Sequence, residues 1–237
     1  MAKIIKLGSL YFDGHSQEVG TAYNGEQLSF GDAIPGREIS WVKLQNGLLI
    51  ADRCICTAIS WQQLDKEGFV FGVPITIDSE TYLCRCLCIG TKENESNEWD
   101  TALDEVGEDN DLWHWDEAYF WGQEISKYIP STRAMRGYHS ARHWSNYTAT
   151  NRNAAVGFRP ALEYLGFAPC SPDTLLNKKV KVYCPDGIAI EGCLVDFSNY
   201  DIVLKANSSV RTNRLWARKE GRNIIIRREN IVWLEEG

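Results

Sequence analysis

His139 and His143 stand four apart in the run RGYHSARHW, residues 136–144. On a helix that spacing puts two imidazoles on one face, where His114 or an acid from residues 93–117 would complete a metal site. The flanking Tyr138 and Trp144 read instead as strand, and there positions four apart lie about 13 Å from each other. That is too far for one ion, so no metal is expected. Cys54-x-Cys56 and Cys84-x-Cys86-x-Cys88 also lie in strand-like stretches, whose alternate residues share a face, and five thiols would then converge. Structural zinc is held by Cys-x2-Cys knuckles, a spacing neither group has. Small cysteines packed on the inner faces of two strands are the reading adopted. The chain has no phosphate-binding glycine loop and no Gly-x-Ser-x-Gly elbow. Asp100, Asp104, Asp109 and Asp111 do not follow the calcium-loop pattern. No cofactor is expected.

Residues 93–117 carry eleven carboxylates, interrupted by Trp99, Leu103, Leu112, Trp113 and Trp115. Acidic disordered tails lack such aromatic anchors, so this segment reads as an acidic face held down by tryptophans. Asp104, Glu105, Glu108 and Asp109 are its candidate partner-binding residues. Their carboxylates would imitate a nucleic-acid backbone and dock on a basic groove of another protein; a merely solvated face is the competing reading.

The elements that must position these groups follow from pattern. The chain has 237 residues, net charge −7, nine tryptophans and eight cysteines. No stretch is apolar enough to span a membrane and no export signal is recognisable. Reduced thiols and a cytoplasmic location are therefore expected. Residues 1–173 carry 14 Lys+Arg against 24 Asp+Glu, while residues 174–237 carry 11 against 8. That shift marks a domain boundary at the Pro169–Pro172 linker, giving domains 1–171 and 172–237. Ile39 to Leu44 and Leu48 to Ala51 form a hairpin about Asn46-Gly47. Ser60 to Leu64 reads as a helical turn, and Phe69 to Ile77 and Thr81 to Ile89 as strands. Ala118 to Lys127 reads as a short helix. Ala155 to Glu163 reads as a last strand entering a sheet, with Pro160 at an edge or a bulge. Beyond the linker, five short strands predict a small barrel.

Two resemblances extend this reading. RGYHSARHW, a polar loop, and then Gly157-Phe158-Arg159-Pro160-Ala161-Leu162 resemble the ending of the formylglycine-generating-enzyme branch of C-type-lectin-like domains. They look closer still to domains of unknown function in Gram-positive bacteria and their phages, whose opening the 39–51 hairpin also resembles. The enzyme's two copper cysteines have no counterpart between Arg136 and Leu165. The three histidines by which related sulfoxide synthases bind iron lie in a helical domain absent here. The resemblance therefore implies an α+β, C-type-lectin-like fold without that chemistry.

The second domain resembles the Sm-like fold, in its bacterial RNA-chaperone branch, through GCLVDFSNYDIVLK (residues 192–205) and Ile224-Ile225-Ile226-Arg227-Arg228. Ser198 replaces the family's usual Asp, and the connecting segment is longer than usual. The resemblance implies a small all-β Sm-like barrel in which Asn199, Tyr200, Arg227 and Arg228 bind nucleic acid by stacking, base-edge and phosphate contacts. The competing reading makes Tyr200 a core residue and the arginines solvated charges. Homo-oligomerisation through the barrel is a further expectation. Together these features point to a non-catalytic binding protein of phage or prophage origin. It would hold a host macromolecule or a nucleotide-like ligand and inhibit a host process such as antiviral defence. A nucleic-acid-binding factor and a metal-dependent enzyme are the alternatives.

Overall fold

Two sheets and three short helices make up the first unit, Met1–Gly166, of the computed structural model. The model describes residues 3–167, 175–184, 189–198, 201–205, 217–231 and 233–237. The first sheet runs His15–Ser16, Lys3–Phe12, Glu38–Lys43, Leu49–Ala51, Pro160–Phe167, Glu80–Cys86, Val73–Ile77, with Leu28–Gly31 also paired to Lys3–Phe12. The second runs Trp144–Thr148, Thr132–Gly137, Tyr119–Ile125, Val156–Phe158, Cys56–Thr57, Thr21–Ala22. Neighbouring strand residues alternate between two cores. Trp41, Leu49, Trp121, Met135 and Leu162 enter one, and Val42, Ile50, Phe120, Ala134 and Ala161 enter the other. The centre of each sheet is thus buried on both faces.

The expectation of an α+β fold is corrected: the described residues are predominantly strand, and the chain is all-β. The helices Trp61–Lys66, Glu98–Val106 and Asn110–Trp113 are too short to form a layer and act as plugs. Ala118 to Lys127, expected to be helical, contains the strand Tyr119–Ile125, held by antiparallel pairing on one side and parallel pairing on the other. Pairing on both edges outweighs local helix preference there. Asn46-Gly47 makes the expected hairpin, with Trp41 opposite Ala51 and Gly47 at φ +90°. Ser60 opens the Trp61–Lys66 helix through a reciprocal capping box with Gln63.

Two short stretches carry the chain between the sheets, and they run side by side. Residues 52–55 lead from Leu49–Ala51 to Cys56–Thr57, and Arg159 alone separates Val156–Phe158 from Pro160–Phe167. The Ile55 amide donates to the Phe158 carbonyl across them at 2.8 Å. What reads as one terminal strand is therefore two strands in two sheets. Pro160 is not at an edge: it opens a strand lying between Leu49–Ala51 and Glu80–Cys86, where the first position tolerates a missing N–H.

Arg159 is fully buried. Its guanidinium carbon lies 4.9 Å from the Trp99 ring centre and 4.8 Å from that of Phe120. Nη2 donates to the carbonyls of Trp113 (2.6 Å) and His114 (3.3 Å), while Nε and Nη1 find no acceptor among the described residues. Burial pulls its pKa below the usual arginine value, and Cys54 and Asp52 oppose that. Asp52, itself buried, is gripped by Arg53 through two bonds of 3.0 and 2.9 Å.

The second unit, Phe167–Gly237, is one antiparallel sheet ordered Ala217–Glu220, Asn223–Arg227, Asp201–Lys205, Ala189–Phe197, Lys179–Tyr183, Trp233–Glu236. Val180, Val182, Ile190, Leu194, Ile202, Leu204, Ile224 and Ile226 close its core at alternate positions. Residues 169–172, read as a linker, lie outside the described residues. No helix among the described residues is long and apolar enough to cross a membrane.

Removing the Arg159 side chain should cost about 2–5 kcal/mol, since it empties a buried site beside two aromatic rings and leaves the Trp113 and His114 carbonyls without their donor. Urea unfolding of Arg159→Ala measures this. A loss below about 1 kcal/mol would show that the guanidinium does not hold the crossover.

Candidate functional site

The turn between Gly137 and Trp144 is clamped to the helix Glu98–Val106 from both sides. Asn97 caps that helix by accepting from the Asp100 amide at 2.9 Å, and Glu98 and Asp100 sit in its positive first turn. Trp99, Ala102 and Leu103 are buried, so Asp104 and Glu105 point outward. The Trp99 indole N–H donates to the Ala141 carbonyl at 2.7 Å, joining helix to turn.

Arg136 supplies the second clamp and is 2 % exposed. Nε and Nη2 donate to the Ile89 carbonyl (3.2 and 3.1 Å), Nη1 to the Arg142 carbonyl (2.5 Å) and Nη2 to Asp100 Oδ2 (2.8 Å). Arg142 then reaches back, with Nε to Glu108 Oε1 and Nη2 to Asp104 Oδ1, both at 2.6 Å. Those two bonds hold its pKa above the usual arginine value. Among the described residues Asp100 Oδ1 has no hydrogen-bond partner, and Arg142 Nη1 lies 3.6 Å from it. Between these groups lies a cleft of about 240 Å³, floored by Arg136 and Asp100 and walled by Glu93, Arg142, His143 and Trp144.

Beside the cleft four rings close on one another. Tyr119 and Tyr138 stack at 4.9 Å, His139 stands edge-on to Tyr138 at 4.8 Å and to His143 at 4.9 Å, and His143 tilts over Tyr119 at 6.0 Å. The strand spacing that separates His139 from His143 is thereby corrected: residues 139–142 bend and turn, which brings the rings together. Two ligands do not make a metal site, and no group of three or more His, Cys, Asp or Glu among the described residues is placed to hold an ion. Tyr138 is held at φ +75°, a strained value for an aromatic residue. Gly137 before it, at φ +102°, passes so close to Ala118 that an added Cβ would lie 2.3 Å from its carbonyl oxygen.

The candidate partner-binding carboxylates are engaged within the protein. Asp104 and Glu108 converge on Arg142. Glu105 Oε1 accepts from the Gln45 amide at 2.8 Å, and Asp109 caps Asn110–Trp113 through the Asp111 amide. The cysteines do not converge. Cys54 packs in one core and Cys56, Cys84 and Cys86 in the other. Burial raises all four thiol pKa values. In the second unit, Arg227 ends a strand opposite Asp201, and Arg228 Nη1 donates to the Ser198 carbonyl at 3.0 Å. Asn199 and Tyr200 lie outside the described residues.

Sequence reasoning passed over Arg136, Arg142 and Tyr138 as site residues. One signal was readable: residues 125–162 contain no Asp or Glu, but six Lys or Arg and two His. In a domain with excess acid, that run marks a surface of opposite character. Comparison with protein-family models, curated proteins and solved structures found no match.

Burial, then the neighbouring His139, lowers the pKa of His143, with Glu93 opposing. The unfolded chain therefore takes up this proton first as pH falls through about 6.5, so stability declines from there toward the lower folded pKa. Unfolding free energies measured between about pH 7.5 and 5.5 should fall with pH, and His143→Gln should flatten the slope. Parallel slopes would show that His143 titrates alike in both states.

Proposed function

We propose that this protein is a non-catalytic binding protein whose larger unit holds an exposed group of a host macromolecule, or a nucleotide-like ligand, in the cleft above Arg136 and Asp100. The observation that carries this reading is the doubly clamped turn. Arg136 and Arg142 fix its backbone and its side chain before any ligand arrives, which lowers the ordering cost of binding. His143 and Trp144 line the cleft and the rings of Tyr138 and His139 stand beside it as stacking surfaces, while Arg142 and the imidazoles suit phosphate or carboxylate oxygens. Groups that would serve catalysis are otherwise engaged. The buried thiols stay protonated, Asp100, Asp104 and Glu108 face arginines, and neither His139 nor His143 hydrogen-bonds a carboxylate that would orient it. The likeness of residues 136–162 to domains of Gram-positive bacteria and their phages supports a phage or prophage origin. A cytoplasmic protein that blocks a host process such as antiviral defence fits that origin.

Calorimetric titration of the full chain with nucleoside mono- and triphosphates tests the cleft. Tyr138→Gly accepts the left-handed backbone while removing the ring, so it should keep the melting midpoint near wild type. It should weaken a bound nucleotide roughly ten-fold, the worth of one stacked base. If no nucleotide binds and Tyr138→Gly leaves recovery of any co-purifying host macromolecule unchanged, the cleft is not the binding site.

A second reading places nucleic-acid binding on the smaller unit. It is supported by Arg227 and Arg228 sharing one strand end with Ser198, next in the chain to Asn199 and Tyr200. Binding of a single-stranded oligonucleotide should then weaken with salt. Arg228→Ala should reduce the log–log salt slope by about 0.7, the loss of one phosphate contact. An unchanged slope would remove Arg228 from the interface.

A further inference from the structure

The strand Trp144–Thr148 ends the second sheet. It pairs on one side only, with Thr132–Gly137, in unbroken register from Trp144 opposite Arg136 to Thr148 opposite Thr132. Exposed edges present free N–H and C=O groups to any passing strand, and folded proteins blunt them with short strands, proline, charge or bulges. Five other sheet ends are blunted in these ways, and the four-residue edge strand Leu28–Gly31 lines one groove with Val73–Thr76. His15–Ser16 and Thr21–Ala22 are two residues long, Val73–Ile77 contains Pro74, Ala217–Glu220 carries Arg218, Lys219 and Glu220, and Trp233–Glu236 ends on Glu236. Trp144-Ser145-Asn146-Tyr147-Thr148 has five residues, no charge, no proline and no bulge.

Its surroundings are apolar and cationic. Ile125, Arg133 and Tyr147 form one cross-strand row, and Ile125 and Tyr147 are 52 % and 53 % exposed. Arg133 lies over the Trp61 ring at 4.3 Å, its Nε has no acceptor, and no carboxylate pairs with it among the described residues. Lys127 sits exposed in the turn leading to this hairpin. The whole corner belongs to the carboxylate-free run of residues 125–162.

We propose that an extended acidic segment of a partner protein docks on this edge as an added strand. Its backbone would pair with Trp144–Thr148, its carboxylates would face Arg133 and Lys127, and its apolar residues would cover Tyr147 and Ile125. A nucleic acid would meet the cations but leave the strand's amides and carbonyls without in-register partners. A second copy of this chain would set two carboxylate-free corners against each other. The edge shares Trp144 with the cleft above Arg136, but Lys127 and Arg133 lie outside that cleft, so either site can fail without the other.

Fluorescence anisotropy of the full chain tests this with a labelled ten-residue peptide alternating Asp with Val or Tyr. The acidic peptide should bind. The same peptide with Lys for Asp, or with alternate backbone nitrogens methylated, should bind at least ten-fold more weakly. Lys127→Glu, a change at an exposed turn, should weaken the acidic peptide several-fold, and Arg133→Glu should weaken it further. Failure of the acidic peptide to bind overturns the proposal. So does equal binding of the methylated peptide, which would mean attraction without strand addition, or preference for a ten-nucleotide single-stranded DNA. A dimer seen in sedimentation, dissociated by Tyr147→Lys and not by the peptide, would assign the edge to a second copy instead.

Discussion

The architecture of the larger unit depends on a cation with no water around it. Arg159 sits where the chain steps from one sheet to the other, against the touching rings of Trp99 and Phe120, with its Nη2 on the carbonyls of Trp113 and His114. A guanidinium suits this position because it is planar and weakly hydrated, so two aromatic faces replace part of its solvation. The arrangement ties three regions together: the last strands, the helices of the acidic segment, and the neighbouring crossover with Asp52 and Cys54. Two of its nitrogens still lack acceptors among the described residues. A hydrophobic residue would pack more cheaply in isolation, but it could not donate to those carbonyls.

Arginine plays the same part at the surface. Arg136 and Arg142 hold the turn before Trp144 against the helix Glu98–Val106, one from below and one from outside. Four of the acidic segment's eleven carboxylates, Glu98, Asp100, Asp104 and Glu108, are thus counter-ions for the protein's own arginines, with indole N–H groups bonding nearby carbonyls. This explains how a stretch with eleven carboxylates forms ordered structure: tryptophan burial supplies the driving force, and guanidinium groups relieve the like-charge repulsion. Between Ile125 and Arg152 the balance of charge reverses.

Much of the local structure was legible in the chain itself. The Asn46-Gly47 hairpin, the helical turn at Ser60 to Leu64 and the alternating core of the second unit each depend on residues a few positions apart. So does the ordering of the acidic stretch by its tryptophans. Periodicity also located strands correctly in most places. It erred at Ala118 to Lys127, where strand pairing on both sides overrode a helical composition, and this helped make the unit all-β rather than α+β.

Distances between sequence-remote groups were decided by the tertiary structure. Residues 155–163 look like one strand, and only packing shows that Arg159 divides them between two sheets. His139 and His143 seemed held apart by strand spacing until the turn folded their rings to 4.9 Å. Cys54 and Cys56 share a sequence pattern yet enter different cores, because the chain changes sheets between them. Asp104 and Glu108 read as free acids because Arg142, more than thirty residues away in the chain, is the group that binds them. Short-range pattern reports backbone geometry and solvent preference within a few residues. Which charge meets which, and which strand is left with an open edge, depends on long-range packing that no local window contains.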